Sequence, residues 1–133
     1  MSVAHTHDAL ALAWSHAPIG IDLERLDRSF DALRLAERFY CQRDRNGLET
    51  LPSETCRCEV LRQWLAKEAA IKWQRGSLAR DLLAWSWSGS DDVAVHLRCG
   101  FRVRIRHHQW RHWLIAVADE EDLSGQVLQI CLR

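Results

Sequence analysis

Three acidic residues have types and spacings that suit the binding of a cation. Asp22 and Glu24 lie two residues apart in the segment IGIDLE (19–24), where apolar residues alternate strictly with others. In a strand, this alternation places both carboxylates on the face opposite the apolar side chains. Glu68 lies in the segment WLAKEAAIK (64–72), on a helical face that also carries large apolar residues. A carboxylate on such a face needs a partner, because charged side chains are almost never buried alone.

Two kinds of partner for Glu68 are open from the sequence. Lys72 follows four residues later, at the spacing of an ion pair within a helix. The other partner is a metal ion or an anionic ligand. Oxygen ligands from Asp22, Glu24 and Glu68 would suit Mg2+, whose remaining positions take water and phosphate, as in phosphoryl transfer. Each acid alone is equally typical of a solvated surface, and periodicity does not establish that the three converge.

The elements that position these acids indicate an α+β fold: an antiparallel sheet packed against one long and one shorter helix. The long helix is predicted from Ser53, a suitable N-cap, to Arg75, just before the helix-breaking Gly76. The shorter helix is predicted over 29–40, with Ser29 as its N-cap. The whole chain, 1–133, is expected to form a single domain. Strands are predicted at 9–14, 19–24, 83–87, 93–98, 101–106, 113–118 and 127–132, the first two paired as a hairpin.

The composition is that of a soluble globular protein, with 47% apolar residues, 27% charged residues and a net charge of zero over 133 residues. This balance predicts no nucleic-acid partner and no membrane partner, and no apolar run approaches the length of a membrane span. The five cysteines are odd in number and include one C-x-C at 56–58, which is not a zinc-binding pattern. We therefore expect reduced thiols and a cytoplasmic location.

A later segment carries a regular row of positive charge. Arg102, Arg104 and Arg106 alternate with apolar residues in the strand predicted at 101–106. Two interpretations are open, a phosphate-binding site or a solvated face of the sheet. The seven tryptophans, most of them in the long helix and the later strands, indicate a core or an interface.

Two motifs, taken together, resemble those of the 4′-phosphopantetheinyl transferases. The first family motif, roughly G-[IV]-D-x-E, is matched by residues 20–24, and the second, [WF]-x-x-K-E-[AS]-x-x-K, by residues 64–72. Between them, the segment RFY at 38–40 is similar to the family's R-F-F. His5 stands seventeen residues before Asp22, where the family has the histidine of S-H-S.

The resemblance implies an enzyme that moves the phosphopantetheine arm of coenzyme A onto a serine of an apo carrier protein, releasing adenosine 3′,5′-bisphosphate. It implies that Asp22, Glu24 and Glu68 hold Mg2+ against the pyrophosphate of coenzyme A. Fatty-acid, polyketide and nonribosomal-peptide carriers fit the resemblance equally.

The resemblance also assigns roles to basic residues and to a proton acceptor. Lys72 would contact a phosphate, with Lys67 as a secondary contact, and His5 would contact the 3′-phosphate. The base that takes the serine proton would be Glu68 or an acid after the RFY segment. At that second position the family often has Glu, and this chain has Asp44.

The chain departs from the family pattern in three places. The S-H-S segment has Ala4 and Thr6 around its histidine, and the glycine-rich segment near G-x-G-L is RGSL at 75–78. At this altered position, Arg75 would supply a further contact to a phosphate. The third departure is that the larger, Sfp-type members have two similar halves, and this chain resembles the second half alone.

The resemblance to a single half leads us to expect a homo-oligomer, a trimer or a dimer. Small members of the holo-acyl-carrier-protein synthase type also lack a second half, and they self-associate so that their active sites lie between subunits. The competing interpretation is a non-catalytic relative, a module that binds a carrier protein or a nucleotide. The presence of all three acids and both lysines favours catalysis, because a binding module has no physical need for them.

Overall fold

The computed structural model describes residues 1–120 and 127–132, which form two antiparallel sheets and a long helix. The helices are α1 (Ala32–Phe39), α2 (Gln42–Arg45), α3 (Ser53–Gln74) and α4 (Leu78–Asp81), with a 3-10 turn at Leu48–Thr50. The strands are β1 (Ser2–His5), β2 (Ala9–Trp14), β3 (Ile19–Arg25), β4 (Trp85–Ser86), β5 (Val93–His96), β6 (Arg102–Trp110), β7 (Trp113–Asp119) and β8 (Val127–Leu132).

Helix α3 packs across the larger sheet, whose strand order is β3-β7-β6-β5-β4. Small residues of the helix, among them Ala66, Ala69 and Ala70, are fully buried and allow the helix to approach the strands closely. Large side chains such as Leu65 and Trp85 fill the space between helix and sheet. The predicted α+β fold is therefore confirmed. Over the described ranges, no helix is both long enough and apolar enough to cross a membrane.

Strand β3 is buried on both of its faces. Ile19, Ile21 and Leu23 face the smaller sheet, β1-β2-β8, and pack with the small buried alanines of β1 and β2. Gly20 faces the other way, against the backbone of α3. Because side chains alternate along a strand, the acids of β3 lie on the helix side, as the sequence pattern predicts.

The predicted hairpin between the first two long strands is wrong. Strand β2 pairs with β1 and β8, whereas β3 pairs with β7 over seven residues, from Ile19 opposite Asp119 to Arg25 opposite Trp113. The intervening residues 15–18 carry the chain from one sheet to the other. Apolar alternation predicts which face of a strand is buried but not its neighbour, which is set by tertiary packing.

Three further boundaries differ from the sequence prediction. Helix α1 is capped by Asp31, whose Oδ1 accepts a hydrogen bond from the backbone N–H of Arg34 at 3.2 Å, rather than by Ser29. Helix α3 follows Pro52 and has no side-chain cap. The strand predicted at 83–87 shortens to two residues, because the chain before it forms α4.

Candidate active site

Gly20 sets the distance between β3 and α3. A Cβ atom at this position would lie 1.9 Å from the carbonyl oxygen of Ala69 and 2.6 Å from the backbone nitrogen of Trp73. No side chain fits there, so the strand lies directly on the helix backbone. Two residues further along β3, Asp22 is thereby brought to the face of α3 that carries Glu68 and Lys72.

Lys72 of α3 binds residues of β3 and β1. Its Nζ lies 3.1 Å from Oδ1 of Asp22 and donates to the carbonyl oxygens of Ile21 at 2.9 Å and Val3 at 3.3 Å. About a third of its side chain is exposed, so the ammonium group also faces solvent. The sequence left open whether Lys72 pairs with Glu68; in the structure its ion pair is with Asp22 on the neighbouring strand.

The acids of this site lie in one another's electric field. Burial raises the pKa of Asp22, and the charge of Glu24 adds to the effect, while Lys72 opposes it. Burial, followed by the charges of Asp22 and Glu24, raises the pKa of Glu68 to about 7, against the opposing effects of Lys72 and a hydrogen bond from Trp64. Carboxyl groups that repel one another in a partly buried setting are stabilised by an added cation.

The three carboxylates fit Mg2+ in chemistry, although the side chains do not form a ready-made cage. Glu24 is bonded on both oxygens, to Nη1 of Arg28 at 2.9 Å and to the backbone N–H of Arg25 at 2.9 Å. Within residues 1–120 and 127–132, no three acidic, histidine or cysteine side chains stand together as a group that could hold a metal. The oxygen donors of these three acids are nevertheless those that a hard divalent cation favours.

Lys67 and Asp44 are brought together at a different place, away from solvent. Both side chains have no exposed surface, and Nζ of Lys67 bonds Oδ2 of Asp44. Although Lys67 directly precedes Glu68 in the chain, it points away from β3, on an adjacent face of α3. His5 lies at the end of β1 with its residue exposed.

A polar pocket of about 320 Å³ opens beside the C-terminal end of α3, and both Lys72 and Arg75 line it. Arg75 is the C-cap of the helix and adopts left-handed backbone angles of φ 59° and ψ 37°. His16 adds an imidazole to the lining, and Ser2 and Ser15 add two hydroxyl groups. His16 could not be predicted as a lining residue, because nothing in the sequence of the turn before β3 indicates that it folds back toward the end of α3.

The row of arginines on β6 is partly neutralised. Arg104 Nε lies 2.9 Å from Oδ1 of the buried Asp119, and Arg106 binds the other oxygen of the same carboxylate. Arg102 is exposed. Two of the three arginines are therefore engaged with an acid of the neighbouring strand.

Comparisons with known proteins agree with the motifs that meet at this contact. The model of the 4′-phosphopantetheinyl transferase superfamily matches residues 18–131. The 4′-phosphopantetheinyl transferase psf-1 of Bacillus pumilus is 30% identical over 97 residues, which cover 73% of this chain and 41% of that protein. The matched part of the chain thus covers only about two fifths of the length of this curated relative. Because the family model matches most of the chain, the protein belongs to the 4′-phosphopantetheinyl transferase superfamily.

Proposed function

We propose that this protein transfers the 4′-phosphopantetheine group of coenzyme A to a serine of an apo acyl or peptidyl carrier protein. The observation that carries the proposal is the contact of β3 with α3, which places Asp22 and Lys72 3.1 Å apart and Glu68 in their field. These residues lie in the two segments whose motifs resemble those of the family, within the range that the family model matches. The other product is adenosine 3′,5′-bisphosphate.

The substrate and cation are held by different residues of the site. Asp22, Glu24 and Glu68 would hold Mg2+, which neutralises charge on the pyrophosphate of coenzyme A when it is bound. Lys72, with its exposed ammonium, would bind a phosphate oxygen as a point charge. Arg75, which lines the same pocket, would extend the positive surface, and His5 would bind the 3′-phosphate.

Glu68 is the base in this proposal. The serine Oγ forms a bond to the phosphorus of the pantetheine phosphate, and the P–O bond to adenosine 3′,5′-bisphosphate breaks. The serine proton passes to Glu68, directly or through water. A base must be in its charged form, and a cation bound beside Asp22 and Glu24 would favour the carboxylate form of Glu68.

Incubation with coenzyme A, Mg2+ and apo carrier proteins tests the proposal. The carrier should gain the mass of one phosphopantetheine, and the gain should require both Mg2+ and Glu68. Glu59→Gln is the matched control, because Glu59 lies on the same helix in a long surface pair with Arg62 at 4.0 Å. Binding of coenzyme A without any mass gain, across fatty-acid, polyketide and peptide-synthetase carriers, would support the non-catalytic alternative.

A second copy of the chain is proposed to supply the other wall of the site. The outer face of the smaller sheet exposes apolar side chains, with Trp14 61% and Met1 73% accessible, beside Val3 at 39%. A contiguous apolar face of this kind favours association. A trimer or dimer in a solution-mass measurement is expected, and a stable, active monomer would contradict the proposal.

A cytoplasmic location is proposed from the state of the cysteines. All five are free thiols, and Cys56 is buried. Free thiols persist in a reducing compartment. Alkylation of cells before lysis should therefore modify Cys99 and Cys131, which are exposed, without prior reduction.

A further inference from the structure

Lys67 is a buried ammonium group whose observed contacts all lie inside the protein. Nζ donates to Oδ2 of Asp44 and to the carbonyl oxygen of Trp85, and it lies 4.7 Å from the centre of the Tyr40 ring. The Tyr40 hydroxyl in turn donates to the carbonyl oxygen of Val60 at 2.6 Å. The side chain of Lys67 has no exposed surface, so it contacts no phosphate of a bound substrate in this arrangement.

Asp44 is equally enclosed. Its Oδ1 accepts from the Ser86 hydroxyl at 2.8 Å, and Oδ2 accepts from Lys67 and from the backbone N–H of Trp87 at 3.4 Å. The backbone carbonyl of Asp44 accepts from Nε2 of Gln63 at 3.0 Å. A serine of a carrier protein cannot reach a carboxylate without exposed surface, which removes the geometric basis for Asp44 as the base.

The ion pair between Lys67 and Asp44 restrains the rotation of α3 about its own axis. Gln63 and Lys67 lie one helical turn apart and both hold Asp44, while Glu68, the next residue, points toward β3. Successive side chains on a helix differ by roughly 100° in direction. Restraining two residues of one face therefore restrains the direction of Glu68 on the adjacent face.

We propose that Lys67 and Asp44 are positioning residues that orient Glu68 toward the cation and coenzyme A, and that neither touches a substrate. The inference rests on the proposed function for the identity of those ligands. A buried ion pair contributes little net stability compared with apolar side chains, but it restricts its two partners to geometries that keep both charges paired. Losing one member leaves an unpaired buried charge, whereas losing both leaves none.

Four proteins test the proposal: the wild type, Asp44→Asn, Lys67→Met and the double variant. Asn keeps the size and shape of the aspartate side chain and removes its charge, and Met fills the volume of the lysine stem. At a temperature where all are folded by circular dichroism, each single variant should lose at least about tenfold in Mg2+ affinity and in turnover. The double variant should recover about tenfold over the worse single variant. The matched control is the surface pair Glu59 and Arg62, neutralised in the same combinations.

Two outcomes would overturn the proposal. A double variant no better than the worse single variant would indicate direct contact of one residue with substrate. Single variants that lose thermal stability but bind Mg2+ and turn over like the wild type would show a purely structural role. The carboxyl ¹³C shift of Glu68 gives an independent readout, since it should change in the single variants and return in the double variant.

The same variants separate failure of this inference from failure of the proposed function. If the wild type modifies no carrier protein, the Mg2+ isotherms and the Glu68 shift still decide whether the pair positions Glu68. If a single variant does not fold, the double variant must fold and show the wild-type Glu68 shift. A folded double variant with an altered shift would reject the positioning role.

Discussion

Nζ of Lys72 lies 3.1 Å from Oδ1 of Asp22 and joins the second motif of the chain to the first. The same ammonium lowers the pKa of both Asp22 and Glu68, against the burial that raises them. One lysine thus balances the charge of the acids and also faces solvent, where we propose that it binds a phosphate.

Lys72→Met should therefore have two separable effects. The pKa of Glu68 should rise above about 7, and the affinity for coenzyme A should fall by about tenfold to a hundredfold, the range for loss of a charged hydrogen bond. NMR titration and calorimetry measure these quantities. Lys72→Arg, which keeps the charge, should leave the pKa of Glu68 near its original value. Unchanged affinity in the methionine variant would exclude Lys72 as a phosphate ligand.

Glu68→Gln should abolish transfer while changing how stability depends on pH. The pKa of Glu68 is about 7 in the folded protein against 4.5 in the unfolded chain, so the folded state binds more protons between these values. Without Mg2+, the wild type should lose about 1–2 kcal/mol of unfolding free energy as the pH rises from 4.5 to 7, after allowance for solvent screening.

Urea unfolding at pH 5 and pH 8, with a chelator present, measures this difference. The glutamine variant should lack this part of the pH dependence, and Mg2+ should reduce it in the wild type. Identical pH dependence in the two proteins would show that Glu68 does not carry the shift. Unchanged turnover would remove Glu68 from the mechanism.

Gly20→Ala should separate β3 from α3. The added Cβ would lie 1.9 Å from the carbonyl oxygen of Ala69, a backbone atom that cannot move without moving the helix. We expect a loss of about 3 kcal/mol or more and a weaker ion pair between Asp22 and Lys72. Thermal unfolding and Mg2+ binding are the measurements.

The control for this variant is Gly100→Ala. Gly100 has φ 74° and no neighbouring atom within 4 Å of an added Cβ, so only backbone strain is introduced. Its cost should be about 1 kcal/mol, with Mg2+ binding unchanged. If both variants cost the same, the close approach at Gly20 would not be what holds the site together.

His107 should make the fold sensitive to acid. Burial lowers its pKa to about 4, and its Nε2 bonds the carbonyl oxygen of Arg62 at 2.9 Å beside the ring of Trp87. The unfolded chain therefore binds more protons between pH 6.5 and 4, and about 2 kcal/mol of stability should be lost as the pH falls through this range.

His107→Phe keeps the ring stacking and removes the titration, so its unfolding free energy should fall less between pH 6.5 and 4. His7→Phe, at an exposed position, is the control and should behave like the wild type. Equal acid sensitivity in all three proteins would assign the effect to other groups.

Local sequence patterns predicted the parts of the site that depend on local periodicity. The alternation in 19–24 predicted that Asp22 and Ile21 lie on opposite faces of the strand. The helical spacing in 53–75 predicted the long helix to within one residue of its end. Both features follow from the direction of side chains along one element. The fold class and the family followed from the same segments.

The same local patterns do not predict tertiary contacts. Nothing local shows that Asp44, in a four-residue helix, folds against Lys67 more than twenty positions later. The roles predicted for these two residues came from motif positions, and motif positions carry no information about burial. The pairing of β2 with β8 likewise depends on which sheet closes around the alanines of β1 and β2.

The left-handed backbone of Arg75 sets the stability of the protein against the positive charge of the pocket. At φ 59° an arginine costs roughly 1 kcal/mol relative to glycine, yet glycine would remove a cation from the pocket that Lys72 lines. Selection for heat resistance alone should therefore drift toward glycine at this position, and selection for turnover should retain arginine. A library of variants at position 75, screened separately for thermal stability and for turnover, would show which of the two properties the arginine supports.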